Sequence, residues 1–323
     1  MDALTRIKQY ISEDFDTYNA CFAQALQTDN ILLKQVLEHV AAKQGKQMRP
    51  IIILLSAKLC SGITRQTILA AVSMELLHTA SLVHDDIVDD ATMRRGQQAV
   101  NVRWDNKTAV LVGDYLLSKA LALALETNNI KAISIITELG QALSSGELLQ
   151  LFLAWNTNPD EDSYFKIIRQ KTAMLFAAGT SIGAVSVNAE AEKCTALRKF
   201  GEALGVCFQL KDDYLDYVSD NNGLGKPAMS DVRDGKITLP LLRAMQKAPQ
   251  EQANRLVQQI MSKEIEDIDA VRTFVMQYGG LEYTEEMMLK YKAEAIEALR
   301  VFPDSETKDA LLQILDYVIA RTY

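Results

Sequence analysis

Apolar residues recur at helical spacing along nearly the whole chain, in long stretches rich in Ala, Leu, Ile and Glu such as 116–125 and 165–178. That period predicts α-helices. Period-two alternation and hairpin turn pairs are nearly absent, so strands are not expected. Proline breaks helices, and it occurs only as Pro50, Pro159, Pro227, Pro240, Pro249 and Pro303, leaving the span 51–158 uninterrupted. The pattern predicts an all-α protein of about ten or more helices. Two stretches, 156–162 and 219–235, are rich in Asn, Asp, Gly and Pro and read as functional or connecting loops. No low-complexity linker or solenoid repeat divides the chain, so one domain over residues 1–323 is expected, although the length prior allows two.

One segment breaks the amphipathic rule. Residues 66–90 are apolar nearly all round, with Glu75, His78 and His84 as exceptions, which marks a buried central helix. It ends in Asp85, Asp86, Asp89 and Asp90. Four carboxylates there repel one another and face the unfavourable end of the helix dipole. Such a conflict between local rules points to a functional site where something cationic compensates.

Composition narrows the chemistry. The chain is 48% hydrophobic and 24% charged, the profile of an ordinary globular protein. Its net charge of −8 argues against general nucleic-acid binding, which needs a basic face. Cys21, Cys60, Cys194 and Cys207 fit neither a zinc pattern nor a compact disulfide framework, and read as free thiols in a reducing compartment. The N-terminus carries Arg6, Lys8, Glu13 and Asp14 and no apolar signal region, so a cytoplasmic protein is expected. No run approaches ~20 apolar residues, so no stable membrane span is expected.

The acidic cluster occurs twice. Asp85 and Asp89 are i and i+4, on one helical face with ~5–6 Å between Cβ atoms, and Asp86 flanks them. Asp212, Asp213 and Asp216 repeat the spacing. Mg²⁺ takes one or two carboxylates, several waters and substrate phosphates, so two such clusters suit a diphosphate held through bridging metals. An EF-hand is disfavoured, because its central Gly and terminal Glu are missing.

Cations accompany the clusters. Lys46 and Arg49 stand at an apparent helix start, a good anion site. Arg94 and Arg95 follow the first cluster and can balance its charge or grip phosphate oxygens. His78 lies one helical stripe above Asp85. Lys171 and Thr172 interrupt an apolar helix, so the lysine needs a partner. Lys226 and Lys236 lie in Gly-rich sequence after the second cluster, suited to a mobile lid over phosphates. Neither has the spacing of a P-loop.

These motifs occur in one order: Gly45-Lys46-x-x-Arg49-Pro50, His84-Asp85-Asp86-x-x-Asp89, Arg94-Arg95-Gly96, Gly113-Asp114, Lys171-Thr172, Phe208-Gln209-x-x-Asp212-Asp213-x-x-Asp216 and Gly225-Lys226-Pro227. From about residue 43 to 240 the chain resembles the trans-isoprenyl diphosphate synthases, in particular the long-chain octaprenyl type. The resemblance implies a helical bundle around a deep central cavity, a homodimer, and head-to-tail condensation of isopentenyl diphosphate onto an allylic diphosphate. It implies three Mg²⁺ ions, with Asp85, Asp89 and Asp212 as first-choice ligands and Asp86, Asp213 and Asp216 in support. It places Arg94, Lys171, Thr172, Gln209, Lys226 and Lys236 at the allylic diphosphate. Lys46, Arg49, His78, Arg95 and Phe208 fall to isopentenyl diphosphate. The catalytic group is Asp85, Asp86, Asp89, Asp212 and Lys171.

Ser81 lies one turn, ~5.4 Å, deeper than Asp85, and Ala80 is its neighbour. Short-product members of the family resemble one another in placing a large aromatic there. The small pair, and the uninserted Asp-Asp-x-x-Asp spacing, imply an open tunnel and a long product, by analogy for quinone side chains. Residues 121–125 or 148–152 are candidates for the deeper floor. A shorter-chain farnesyl or geranylgeranyl synthase is the alternative. A terpene cyclase is disfavoured by the second Asp-rich motif, and a non-catalytic subunit by the intact clusters and cations.

Overall fold

A computed structural model describes residues 3–43, 45–154, 160–218, 229–262 and 267–322. α-Helices make up nearly all of the regular structure among these residues, as the hydrophobic period predicts. The chain divides into two compact units and passes between them five times: Met1–Gly140, Phe176–Arg198 and Leu299–Gln313 form the first, and Gln141–Leu175, Lys199–Ala298 and Ile314–Tyr323 the second.

The first unit is built around the helix Arg65–Val88. Thr64 starts it: its hydroxyl accepts from Thr67 N at 3.3 Å while Thr67 Oγ1 accepts from Thr64 N at 3.2 Å. This is a capping box closed by threonine rather than glutamate. The helix is buried on several faces, as the unbroken apolar sequence requires, and packs against the helices Asn106–Glu126, Met48–Cys60 and Ser12–Ala25. Residues 51–55 of the Met48–Cys60 helix are fully buried. Each of their side chains stabilises the unit by roughly 1.5–3 kcal/mol.

By length and composition alone, two helices match a membrane span: Arg65–Val88 and Asn106–Glu126. For the first, 72% of the apolar window is buried inside the protein; for the second, 39%. The latter helix leaves Val110, Leu111, Leu117, Leu121 and Leu125 exposed.

The second unit has its own core, where Tyr217, Met229, Val232, Leu241 and Val275 are essentially inaccessible. Pro240 lies in the first turn of the helix Leu239–Lys247, where its missing N–H costs nothing.

Two local features escaped the sequence reading. Met93–Arg94 and Gln97–Gln98 pair as a small antiparallel ladder, closed by Arg95 at φ 52° and Gly96 at φ 72°. Two successive positive φ values are the mark of a tight hairpin turn, and an arginine seldom occupies the first of them. The stretch 165–178 is not one α-helix either. A π-helical turn, Arg169–Ala173, separates Glu161–Ile168 from Met174–Ser186. Of the two expected loops, 155–159 and 219–228 lie outside the described residues; Glu161–Ile168 begins inside the first, and the short helix Ser230–Arg233 lies in the second.

Candidate active site

The first acidic cluster closes the Arg65–Val88 helix. Ala91 N bonds Asp86 O at 2.9 Å and Asp90 N bonds Ile87 O at 3.4 Å, with Asp90 at φ 48°. This is a Schellman-type stop with Asp in the place usually taken by Gly. The stop leaves the carboxylates in unlike surroundings. Asp89 and Asp90 are exposed and Asp85 is half-buried, while Asp86 is buried. Arg94 holds Asp86, with Nη2 2.5 Å and Nε 2.7 Å from Oδ1. Asp86, one of the expected metal ligands, is thus engaged by an arginine in this structure.

The cations of this unit gather around His78. Its Nδ1 is buried without a hydrogen-bond partner. Burial, then Arg49, Arg95 and Arg94, push its pKa well below the usual histidine value. Arg49 has a buried, unpartnered Nε of its own, and its pKa is lowered by burial and by Arg95, against Glu75. Arg95 packs on Gly45 and donates to Lys43 O at 3.3 Å. Lys46 is exposed. Arginine charges that disfavour the charged imidazole, beside a buried and unpartnered Nδ1, suit an anion.

Gly113 explains the Gly-Asp motif. A Cβ there would lie 2.1 Å from His84 Nε2, so only glycine admits the imidazole beside the first cluster. His84 Nε2 also lies 3.2 Å from Val110 O and 3.6 Å from Asp114. One turn deeper than Asp85, Ser81 is half-buried with its hydroxyl on His78 O at 2.9 Å, and Ala80 is buried. Within the candidate floor stretches, Leu121, Leu125, Leu148 and Phe152 are exposed, while Leu123 and Ala124 are buried.

In the second unit a hydrogen-bond chain connects three elements. The Tyr164 hydroxyl donates to Asp213 Oδ2, Gln209 Nε2 donates to Asp213 Oδ1 at 2.8 Å, and Thr172 Oγ1 donates to Gln209 Oε1 at 2.7 Å. Asp213 is buried, and burial together with Asp231 raises its pKa well above the carboxylate range. The π-helical turn positions Lys171 and Thr172, as such turns often do at functional sites. Lys171 Nζ lies 2.5 Å from Glu147 Oε2 and donates to Gln150 Oε1 at 3.0 Å. Gly146 permits that approach, since a Cβ there would lie 2.8 Å from Gln170 Cβ.

The three aspartates of the second cluster also differ. Asp212 is half-exposed and pairs with Arg321 at 2.8 Å. Asp213 is the buried hub. Asp216 caps the Ser230–Arg233 helix, accepting from Ser230 N at 3.0 Å and Asp231 N at 3.1 Å. A cavity of about 260 Å³ opens here, lined by the polar Lys171, Thr172, Gln209, Asp213 and Lys236 and by the apolar Ile167, Ile237, Leu242 and Met261, among others. It brings together four of the six residues expected at an allylic diphosphate. A fifth, Arg94, belongs to the first unit, and Lys226 lies outside the described residues. Phe208 belongs to the second unit. Tyr164, Glu147, Gln150 and Arg321 were missed by sequence reasoning, because no local pattern marks them.

Among the described residues no three His, Cys, Asp or Glu side chains form a metal cage. The donor set still fits Mg²⁺, which draws most of its ligands from water and phosphate. Hard carboxylate oxygens stand at accessible Asp85, Asp89 and Asp212, and Arg94 is paired with Asp86 between the first two.

The polyprenyl synthetase family profile matches residues 30–278. The chain belongs to the polyprenyl synthetase family. It is 34% identical over 295 residues to the short chain isoprenyl diphosphate synthase of Methanothermobacter thermautotrophicus, covering 90% of this chain and 91% of that protein. It is 32% identical to the octaprenyl diphosphate synthase of Escherichia coli over 98% of this chain and 99% of that one. Among solved structures, the polyprenyl synthase of Caulobacter crescentus, complexed with calcium and isoprenyl diphosphate, superposes with a TM-score of 0.92 at 34% identity, over 99% of this chain and 98% of that one. This polyprenyl synthetase is a prenyltransferase of isoprenoid synthesis with an all-α fold. Relatives making short and long products resemble it about equally.

Proposed function

We propose that this enzyme is a Mg²⁺-dependent, trans-long-chain prenyl diphosphate synthase that adds isopentenyl diphosphate repeatedly to a farnesyl or geranylgeranyl primer. The observation that supports it most is the buried, unpartnered Nδ1 of His78 under the electrostatic influence of Arg49, Arg95 and Arg94, on the helix that leads to Asp85 and Asp89. Cations and carboxylates concentrated at one helix end suit a phosphorylated substrate carried with a metal. Asp85, Asp89 and Asp212 would hold the ions, three by family expectation. When bound, Mg²⁺ supplies charge neutralisation that turns the allylic diphosphate into a leaving group.

The chain's own residues do the rest. Lys171, held by Glu147 and Gln150, and Lys236 neutralise phosphate oxygens in the second unit's cavity. The allylic C–O bond breaks with its electron pair leaving on the diphosphate. Thr172 and Gln209 aim fixed dipoles at the resulting cation. Apolar walls exclude water that would quench it. Arg49, Arg95, Lys46 and His78 hold isopentenyl diphosphate, whose double bond attacks the cation to form the new C–C bond; the resulting cation then gives a proton to the released diphosphate, leaving the new double bond. Asp86 and Asp213 position their neighbours rather than bind metal.

Ala80 and Ser81, small residues a turn deeper than Asp85, support the long product, with similarity to an octaprenyl synthase beside them. The exposed stripe of Leu111, Leu117, Leu121 and Leu125 suits a second copy of the chain, giving a homodimer. The class of reaction is tested by diphosphate release from the purified protein. Release should require Mg²⁺ and both substrates, and it should vanish in Asp85→Ala and Asp212→Ala. Release that persists in EDTA would refute the metal role.

A further inference from the structure

Arg321 lies just beyond the helix Glu306–Ala320, tied back by one backbone bond, its N to Tyr317 O at 3.1 Å. Its side chain is only 10% exposed, although the residue lies beyond the last helical turn. Three contacts explain it. Nη2 lies 2.8 Å from Asp212 Oδ1 and donates to the Phe208 carbonyl at 2.8 Å, and the guanidinium carbon lies 4.1 Å from the Phe208 ring centroid. Phe208 and Asp212 are i and i+4 on one helical face, so the arginine spans both. The proposed reading uses these same two residues, Asp212 for a metal and Phe208 against a substrate. A guanidinium and a Mg²⁺ ion on one carboxylate oxygen would repel each other.

We propose that Arg321 is the resident counter-ion of Asp212, a positioning residue that holds the carboxylate and covers Phe208 until metal-bound diphosphate displaces it. The inference rests on Asp212 being a metal ligand. Filling of the second acidic cluster is then coupled to release of the last residues of the chain. The arginine competes with the metal, so its removal should tighten metal binding while loosening the C-terminus.

The test uses the full-length enzyme with Mg²⁺ and inorganic diphosphate as the probe. Calorimetry gives the Mg²⁺ concentration for half-maximal diphosphate binding, and hydrogen exchange follows residues 314–322. In the wild type, exchange in that segment should rise on adding both ligands. In Arg321→Gln and Arg321→Ala it should be fast from the start, and the Mg²⁺ midpoint should fall about threefold, the scale of a partly exposed ion pair. Arg321→Lys should fall between. An unchanged Mg²⁺ midpoint, or a C-terminus that ligands protect further, overturns the displacement. If wild type and Asp212→Asn show the same Mg²⁺ dependence, Asp212 is no ligand, and that result overturns the metal assignment as well. The two failures are therefore distinguishable.

Discussion

Arg94 and Asp86 form an ion pair in which the carboxylate is only 4% exposed, with Nη2 2.5 Å and Nε 2.7 Å from one oxygen. Asp86 N-terminally flanks the same turn as Asp89 and directly follows Asp85, yet it faces a different task. Removing one member of a buried pair leaves the other uncompensated. Asp86→Ala should therefore lower stability by about 2–4 kcal/mol. Asp85→Ala should leave stability within about 0.5 kcal/mol, as for most accessible sites, while activity falls at least about a hundredfold, the scale of a damaged metal site. Urea denaturation beside diphosphate-release kinetics separates the two roles. Equal stability losses would show that they are not distinct.

Gly113 and His84 are in a contact that only glycine allows. Gly113→Ala should drive the imidazole out and cost about 1–3 kcal/mol as an overpacked contact. Gly113→Ala combined with His84→Ala should recover most of that loss, since the small side chain leaves room. A double-mutant cycle by thermal denaturation checks it, and additive losses would refute the steric account.

His78 fixes a pH dependence. Its folded-state pKa lies well below the ordinary value, because burial and three arginines oppose its charge. The unfolded chain then binds the extra proton first, so stability falls as pH drops below about 6.5, with a limiting slope of about 1.4 kcal/mol per pH unit. Above that pH this term is flat. In His78→Gln the fall attributable to this residue should disappear. Parallel stability curves for the two proteins between pH 7.5 and 5 would contradict the burial of a neutral histidine.

Ala80 and Ser81 differ in what they tolerate. Ala80 is buried and Ser81 half-buried, so Ala80→Phe should also cost about 1–3 kcal/mol of stability. Both substitutions should shift the product distribution to shorter chains. Chromatography of the dephosphorylated products reads the shift, and unchanged lengths in both variants would remove these residues from length control.

Much of the fold was legible because helical period is a local property. The long proline-poor stretches gave the all-α class, and the polar end of an otherwise apolar helix gave the first cluster. The spacing of the acidic motif was equally visible, but not the division of labour within it. Asp86 is decided by Arg94, Asp213 by Tyr164 and Gln209, and Asp216 by the N-terminus of a helix fourteen residues on. Identical spacing carries no information about burial. The hairpin around Arg95 and Gly96 was missed because Arg at positive φ violates the usual turn chemistry. The π-helical turn was missed because its residues have ordinary helical composition. Arg321 was invisible for a simpler reason: it meets Asp212 only through the tertiary fold.

The most direct measurement is the product length made from isotopically labelled isopentenyl diphosphate with farnesyl and geranylgeranyl primers in the presence of Mg²⁺. Metal-dependent elongation well past geranylgeranyl diphosphate from either primer is the expected result. Elongation that stops at geranylgeranyl diphosphate or shorter would contradict the long-chain reading while leaving the prenyltransferase intact.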